Sequence, residues 1–247
     1  METRPHLLGV LAGLFLAAGL VFASLVLART WQRVAEAQAI SVTGSARRLV
    51  KSDLIIWSGS FSTEATTLLE AQRTLKVDLA KVGEFLRVNG VTNFTASPIA
   101  IQEQRARPTS PMVEPDRQKV TGYRLVQSVE VSSAAVEHVA KLDQQTSQLV
   151  EQGVLFTTEN PRFIYTKAGE AKLEMLAEAT KDARARAEQI ASQGGRRVKE
   201  LRAAKMGVFQ ITPLYSTRAN SNWEGENDLH SLEKSITAVV NATFSMN

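Results

Sequence analysis

The chain has 247 residues, 44% hydrophobic and 22% charged, with a formal net charge of +4. That length and balance suit one folded domain or two small ones and exclude a disordered chain. The absence of cysteine excludes disulfides, thiolate metal sites and cysteine nucleophiles, and the three histidines, His6, His138 and His230, stand in no metal-ligand spacing.

Residues 7–28, LLGVLAGLFLAAGLVFASLVLA, carry no charge. At about 1.5 Å per residue this run makes roughly 33 Å of helix, enough to cross a hydrocarbon core of about 30 Å. The reading is an uncleaved membrane anchor with its linker, residues 1–39. A cleaved signal peptide is the alternative. Its apolar region is usually about 7–15 residues long, and here the A-x-A triplet Ala37-Gln38-Ala39 lies well past the apolar run. Arg4 and His6 flank one side of the run, Arg29 and Arg33 the other. The positive-inside count alone therefore does not place the carboxyl-terminal domain outside the cytoplasm.

Ile40 opens I-S-V-T-G, whose alternation predicts a strand, and 53–62 predicts a second. Leu68, Leu75, Leu79, Val82 and Leu86 return to one face of a helix over about 64–88, which Asn89-Gly90 stops. Residues 91–102 predict a strand. The proline-rich 103–118 predicts a loop, and the strict alternation of 119–132 predicts a half-buried strand. A helix follows over about 134–151, with Val136, Val139, Leu142, Thr146 and Leu149 on one side. Then comes strand 154–165, broken at Asn160-Pro161. A long helix over about 167–193 ends at Gly194-Gly195, and strands are predicted at 196–210 and 233–246, with a polar loop between them. The pattern is α+β: mainly antiparallel sheet packed against helices, in two strand-helix-strand halves, preceded by one transmembrane helix.

Four blocks then carry a resemblance. ISVTGSARRLVKSDL at 40–54, GYRLVQSVEV at 122–131, ATKDARARAEQIA at 179–191 and SITAVVNATF at 235–244 follow one another in the order and spacing of the SIMPL domain. This is a bacterial envelope family of unknown function, and the likeness spans 40–247. Gly194-Gly195-Arg196-Arg197-Val198 is more basic than that pattern, and the apolar segment is longer than the secretion signal of many members. The resemblance implies an α+β domain, an envelope location, no agreed catalytic residues and, for some members, oligomerisation or a link to oxidative stress; the expectation for this chain is a homo-oligomer at the bacterial inner membrane. It turns the orientation question towards a periplasmic domain.

The stretch 181–202 concentrates seven Lys or Arg against three acids. On a helical wheel, Leu173, Leu176, Thr180, Ala183, Ala187 and Ile190 make the expected buried stripe. Arg184–Glu188 and Asp182–Arg186, four residues apart, and Glu178–Lys181, three apart, are then surface pairs, each adding about 0.2–0.5 kcal/mol. Arg196, Arg197, Lys199 and Arg202 remain as a candidate patch for an anionic envelope ligand. No aromatic residue interrupts 181–202, which argues against a nucleic-acid partner.

Asp228, His230 and Ser231 are close in sequence but lack a strained nucleophile turn, so they read as solvated loop. His138 reads as a boundary histidine. Asn93-Phe94-Thr95 and Asn241-Ala242-Thr243 fit a glycosylation pattern by coincidence, since both fall on predicted strands. Trp57 reads as core, and Trp223, in the polar loop, as a candidate contact aromatic. No catalytic group, cofactor or metal is assigned. The expectation is a non-enzymatic envelope protein that acts by oligomeric assembly, with a binding or sensor module for an anionic envelope ligand as the alternative.

Overall fold

The computed structural model describes residues 5–35, 39–106, 119–216 and 225–247. In chain order the elements are α1 Pro5–Ala35, β1 Ala39–Lys51, β2 Leu54–Ala65, α2 Leu68–Val88, β3 Thr95–Ala96, β4 Ala100–Arg105, β5 Val120–Ser133, α3 Val136–Ala140, a 3-10 turn Lys141–Gln145, α4 Ser147–Glu151, β6 Phe156–Thr158, β7 Arg162–Ile164, α5 Ala168–Gln193, β8 Val198–Pro213 and β9 Glu233–Met246. The fold is α+β with antiparallel strand pairing, as the sequence predicts. Its two compact units do not follow the halves of the chain. One comprises 1–46, 174–208 and 238–247, and the other 47–173 and 209–237.

The larger unit is built on a long antiparallel pair. β2 and β5 run side by side from Ile55↔Ser133 to Ala65↔Tyr123. β3 and β4 extend β5, while β6 and β7 extend β2. Alternation sends Ile55, Trp57 and Phe61 of β2, with Leu125, Val129 and Val131 of β5, into one core. Over it lies α2, which buries Ala71, Leu75, Val82, Phe85 and Leu86. The Thr67 hydroxyl accepts the Glu70 N–H and caps this helix, and Gly90 ends it at φ +74°. The helix starts later than the predicted residue 64 because β2 continues to pair as far as Ala65. Trp57 is fully buried, stacks on Phe156 and donates its indole N–H to Asp143 at 3.3 Å. Its predicted core role holds.

Two predicted elements are broken in the structure. Strand 91–102 is interrupted between β3 and β4 at Ser97-Pro98, where proline cannot donate to a ladder. Asn93 accordingly lies before the strand it was placed in. Helix 134–151 is three short turns with a 3-10 segment in the middle. Val136, Val139 and Leu142 recur every third residue, and all three are buried. That spacing suits a tighter helix of three residues per turn as well as an α-helix.

The smaller unit is a three-stranded sheet, in the order β1-β9-β8, with α5 on one face. The buried stripe of α5 is Ala171, Met175, Ala179, Ala183, Ala187 and Ala191, one residue every four. This corrects the predicted stripe at both ends, since Leu173 is 73% exposed and Ile190 56% exposed. Closeness of approach explains the choice of alanine. A Cβ built on Gly44 of β1 would lie 2.1 Å from the Ala179 carbonyl oxygen and 2.6 Å from the Ala183 Cβ. Backbones that close leave no room for leucine.

Candidate functional site

The other face of the three-stranded sheet is polar. The Ser41 and Thr243 hydroxyls lie 2.9 Å apart, and Thr43 donates to the Asn241 side-chain oxygen at 2.7 Å. These cross-strand pairs give Asn241 a structural job, and their order makes β1 and β9 antiparallel. On the far side of β9, the Asn247 N–H reaches the Arg197 carbonyl at 3.0 Å and the Glu200 N–H reaches the Ser245 hydroxyl at 3.2 Å. The start of β1, the end of β9 and the start of β8 therefore share one end of the sheet.

The predicted basic patch sits at that end. Arg196 and Arg197 leave α5 through a tight turn in which the Arg196 N–H bonds the Ala191 carbonyl at 2.9 Å and Gly195 takes φ +68°. Arg196, Arg197, Lys199 and Arg202 are all exposed. Among the described residues no ion pair or side-chain hydrogen bond engages them. Every residue of β8 from Lys199 to Met206 is exposed, on both strand faces, because α5 covers β1 and β9 but not this edge. By contrast two of the basic residues of α5 are paired, Arg184 with Glu188 at 2.9 Å and Arg186 with Asp182 at 2.9 Å. The structure thus divides the basic stretch into a helix surface with two of its predicted pairs formed and a strand with none, while Lys181 makes no ion pair among the described residues.

Asp228, His230 and Ser231 form no nucleophile-base-acid relay. The Asp228 carboxylate accepts the backbone N–H groups of His230 at 2.9 Å and Ser231 at 3.2 Å, and the Ser231 hydroxyl as well. The expectation of a solvated loop is corrected at Asp228, which is buried. It faces Lys234, whose ammonium is fully buried, 3.5 Å from the carboxylate. Lys234 also donates to the Phe163 carbonyl at 3.0 Å and to the Asp228 carbonyl. Burial pushes the Asp228 carboxyl up, but the His230 N–H, the Ser231 hydroxyl, the Lys234 charge and the Ser231 N–H together hold it below its ordinary value. For Lys234 burial wins over the carboxylate and lowers it. This lock is hard to see in the sequence because a lysine reads as solvent-facing, although period-two alternation sets Lys234 on the same buried face as Ile236. A second signal is an aspartate two and three residues before two turn N–H groups.

A shallow groove of about 390 Å³ on the larger unit is lined by Ser58, Ser97, Ser128, Glu130, Glu159 and Arg162 among others. Its polar groups already satisfy one another. Ser58 donates to Glu159 at 2.9 Å, Arg162 meets Glu130 at 3.4 Å, and the Ser97 hydroxyl accepts the Ser128 N–H at 3.0 Å. His138 is exposed, with its Nε2 2.7 Å from the Asn89 carbonyl, a boundary position as predicted. Trp223 lies outside the described residues. Among the described residues no three of His, Asp and Glu come together as metal ligands. Helix α1 is long and apolar enough to cross a membrane over Gly13–Thr30, and none of that span is buried against the rest of the chain.

No curated protein matches the chain. A crystal structure from Burkholderia cenocepacia, provisionally assigned as an amidohydrolase/peptidase, is similar at 16% identity over 54% of this chain and 33% of its own, with a TM-score of 0.19. The chain spans about a third of that protein, and a likeness this low carries no argument. The family comparison is of another order. The model of the SIMPL family, described as a protein of unknown function (DUF541), matches residues 40–244. From the first strand after the apolar helix through the last strand of the sheet, the chain belongs to the SIMPL family.

Proposed function

We propose that this protein is a non-enzymatic envelope protein. Residues 7–28 anchor it in the inner membrane, the SIMPL domain stands in the periplasm, and it acts by assembling with copies of itself in a role tied to stress tolerance. The observation that carries the reading is the combination of a bare apolar helix with the open edge of β8. Leu201 is 47% exposed and Met206 49%, and the edge backbone beside them has no neighbouring strand in the sheet order. An unpaired edge is the usual template for adding a strand from another chain. The charges on β8 disfavour pairing with a second β8, so the contact is a head-to-tail one that closes into a ring.

The test is the mass of the full chain in mild detergent, by light scattering after size exclusion across a range of concentrations. A discrete oligomer supports the reading, and a monomer at high concentration removes it. A second reading is favoured by one observation, the unneutralised side chains of Arg196, Arg197, Lys199 and Arg202. It makes the domain a binding module for an anionic envelope component. Unchanged binding of anionic envelope fractions after Arg196→Glu with Arg197→Glu removes that reading.

A further inference from the structure

We propose that the basic end of the three-stranded sheet, Arg196, Arg197 and Lys199 with Arg202 beside them, is a contact for anionic lipid headgroups. The bilayer concerned is the one that holds α1. The proposal rests on the anchor reading above and names the partner of the basic strand.

Topology brings the patch to the membrane. Helix α1 ends at Ala35 and β1 begins at Ala39, so only three residues separate them. At about 3.6 Å per residue they let the sheet stand at most about 14 Å from the helix end. From Ala28, the end of the uncharged run, to Ala35 the helix rises roughly 10 Å, enough to pass through a headgroup layer of about 5–8 Å. The strand order then carries this tether to the patch. Strands lie about 4.8 Å apart, so β8 is about 10 Å across β9 from β1. The Ser41–Thr243 and Asn247–Arg197 contacts fix Arg197 at the tethered end, not at the opposite one.

The chemistry fits a headgroup surface better than a single small ligand. From 196 to 205 there are five basic residues, with Lys205, against one acid, Glu200. They are spread along an edge instead of converging on a cavity, and the turn at Gly194-Gly195 holds the first two in place. Lys199 and Leu201 share a strand face by alternation, setting an exposed apolar group beside a cation as an interfacial surface does. Anionic bilayers attract such juxtamembrane cations over about a Debye length, roughly 10 Å at 0.1 M salt. The tether lets the patch enter that field, so local concentration compensates for a small number of charges.

Because the chain has no cysteine, single-cysteine reporters are clean. The full chain is reconstituted in nanodiscs of phosphatidylcholine, alone or with phosphatidylglycerol, both carrying a headgroup-attached quencher. A fluorophore at Ser192→Cys reports the tethered end of α5. One at Ala177→Cys, fifteen residues or about 22 Å up the same helix, reports the far end. We expect quenching at 192 to rise several-fold with phosphatidylglycerol and not at 177. It should fall to the neutral-lipid level in about 1 M salt, where the Debye length is near 3 Å. The triple variant Arg196→Glu, Arg197→Glu, Lys199→Glu should behave like the high-salt sample. Quenching at 192 that is blind to lipid charge and salt overturns the lipid contact, and that arm needs no charge variant to fold. A cysteine at Leu16 that stays open to a water-soluble thiol reagent overturns the anchor, and the contact with it. Protection at Leu16 with a charge-blind Ser192 reporter overturns the contact alone.

Discussion

Asp182 of α5 accepts the backbone N–H of Ser45 in β1 at 2.8 Å, through the same oxygen that holds Arg186 at 2.9 Å. A helix carboxylate thus occupies a backbone donor of a strand that is the edge of its sheet. Arg186 reaches the Ser45 hydroxyl as well, at 3.4 Å. The pairing of Asp182 with Arg186 is legible in the sequence as an ordinary surface pair. Its second role, fastening β1 to α5, is not.

Asp182→Ala should destabilise the domain by about 1 kcal/mol. A backbone bond to a charged acceptor contributes more than a neutral one, but this carboxylate is partly exposed. Asp182→Asn, which keeps an acceptor oxygen, should recover most of the loss. The Ser45 N–H, ahead of the Arg186 charge, holds the Asp182 carboxyl below its ordinary value. A depressed folded value means stability that is present above about pH 3.9 and is lost as pH falls through the folded value. Thermal melts of the wild type and Asp182→Ala should therefore converge in acid and separate at neutral pH. Parallel curves at every pH would contradict the assignment.

Gly44→Ala should be far more damaging than its size suggests. The new methyl would meet the Ala179 carbonyl oxygen at 2.1 Å and the Ala183 N–H nitrogen at 2.4 Å, both backbone atoms that cannot step aside. Overpacking of this kind costs about 1–3 kcal/mol, and more when backbone must move. We expect at least about 3 kcal/mol in denaturant unfolding. A loss below about 1 kcal/mol would mean that α5 rides further from β1 than described. The glycine of I-S-V-T-G is thus a packing residue.

The same contact explains why α5 was only half legible. Helical spacing located the helix to within one residue of its start and at its end. Ranking side chains by hydrophobicity then put Leu173 and Ile190 inside, where the structure has Ala171, Met175 and Ala191. A wheel favours the largest apolar residues, whereas a helix lying on a glycine needs the smallest. The stretch 134–151 failed for a related reason, since period-three and period-3.6 patterns overlap over two turns. Strands β5 and β9 were read well because strict alternation has no such rival. At the candidate site, the basic patch was legible as charge lying past the helix stop at Gly194-Gly195, where helix-surface pairing no longer applies. Its place at the tethered end of the sheet was not, because it depends on β9 lying between β1 and β8.

Removing either member of the Asp228–Lys234 pair should cost about 3–5 kcal/mol, the usual result of leaving one buried charge alone. Lys234→Met leaves the Phe163 and Asp228 carbonyls without their donor, and Asp228→Ala leaves the Lys234 ammonium without its counter-charge. The double variant should be less damaging than the two single losses added together. Hydrogen exchange gives a local readout. The N–H groups of Phe163, bonded to Leu229 at 2.7 Å, and of Asp228, bonded to Ile211 at 2.9 Å, should lose protection first. Additive losses in the double variant would show that the two charges are not coupled.

Asp78 makes the opposite case. It sits on the buried side of α2, with its side chain only 7% exposed and Lys81 at 3.6 Å its ion-pair partner. Burial raises its carboxyl above the ordinary value, and the Lys81 charge opposes this only in part. A folded value raised above the unfolded one gives stability that is fully present below the unfolded value and is lost as pH rises through the folded one. At neutral pH the ionised carboxylate is therefore a cost to the larger unit. Asp78→Asn keeps the shape and removes the charge, and should stabilise the protein at pH 7 by a few tenths to about 1 kcal/mol. As pH falls below the ordinary aspartate value, the gain should shrink towards zero. Lys81 also donates to the Gln152 carbonyl at 2.9 Å, so it keeps a partner when the charge at 78 is gone. If Asp78→Asn instead destabilises at pH 7 while leaving acid stability unchanged, the Asp78–Lys81 attraction outweighs burial and the sign argued here is wrong.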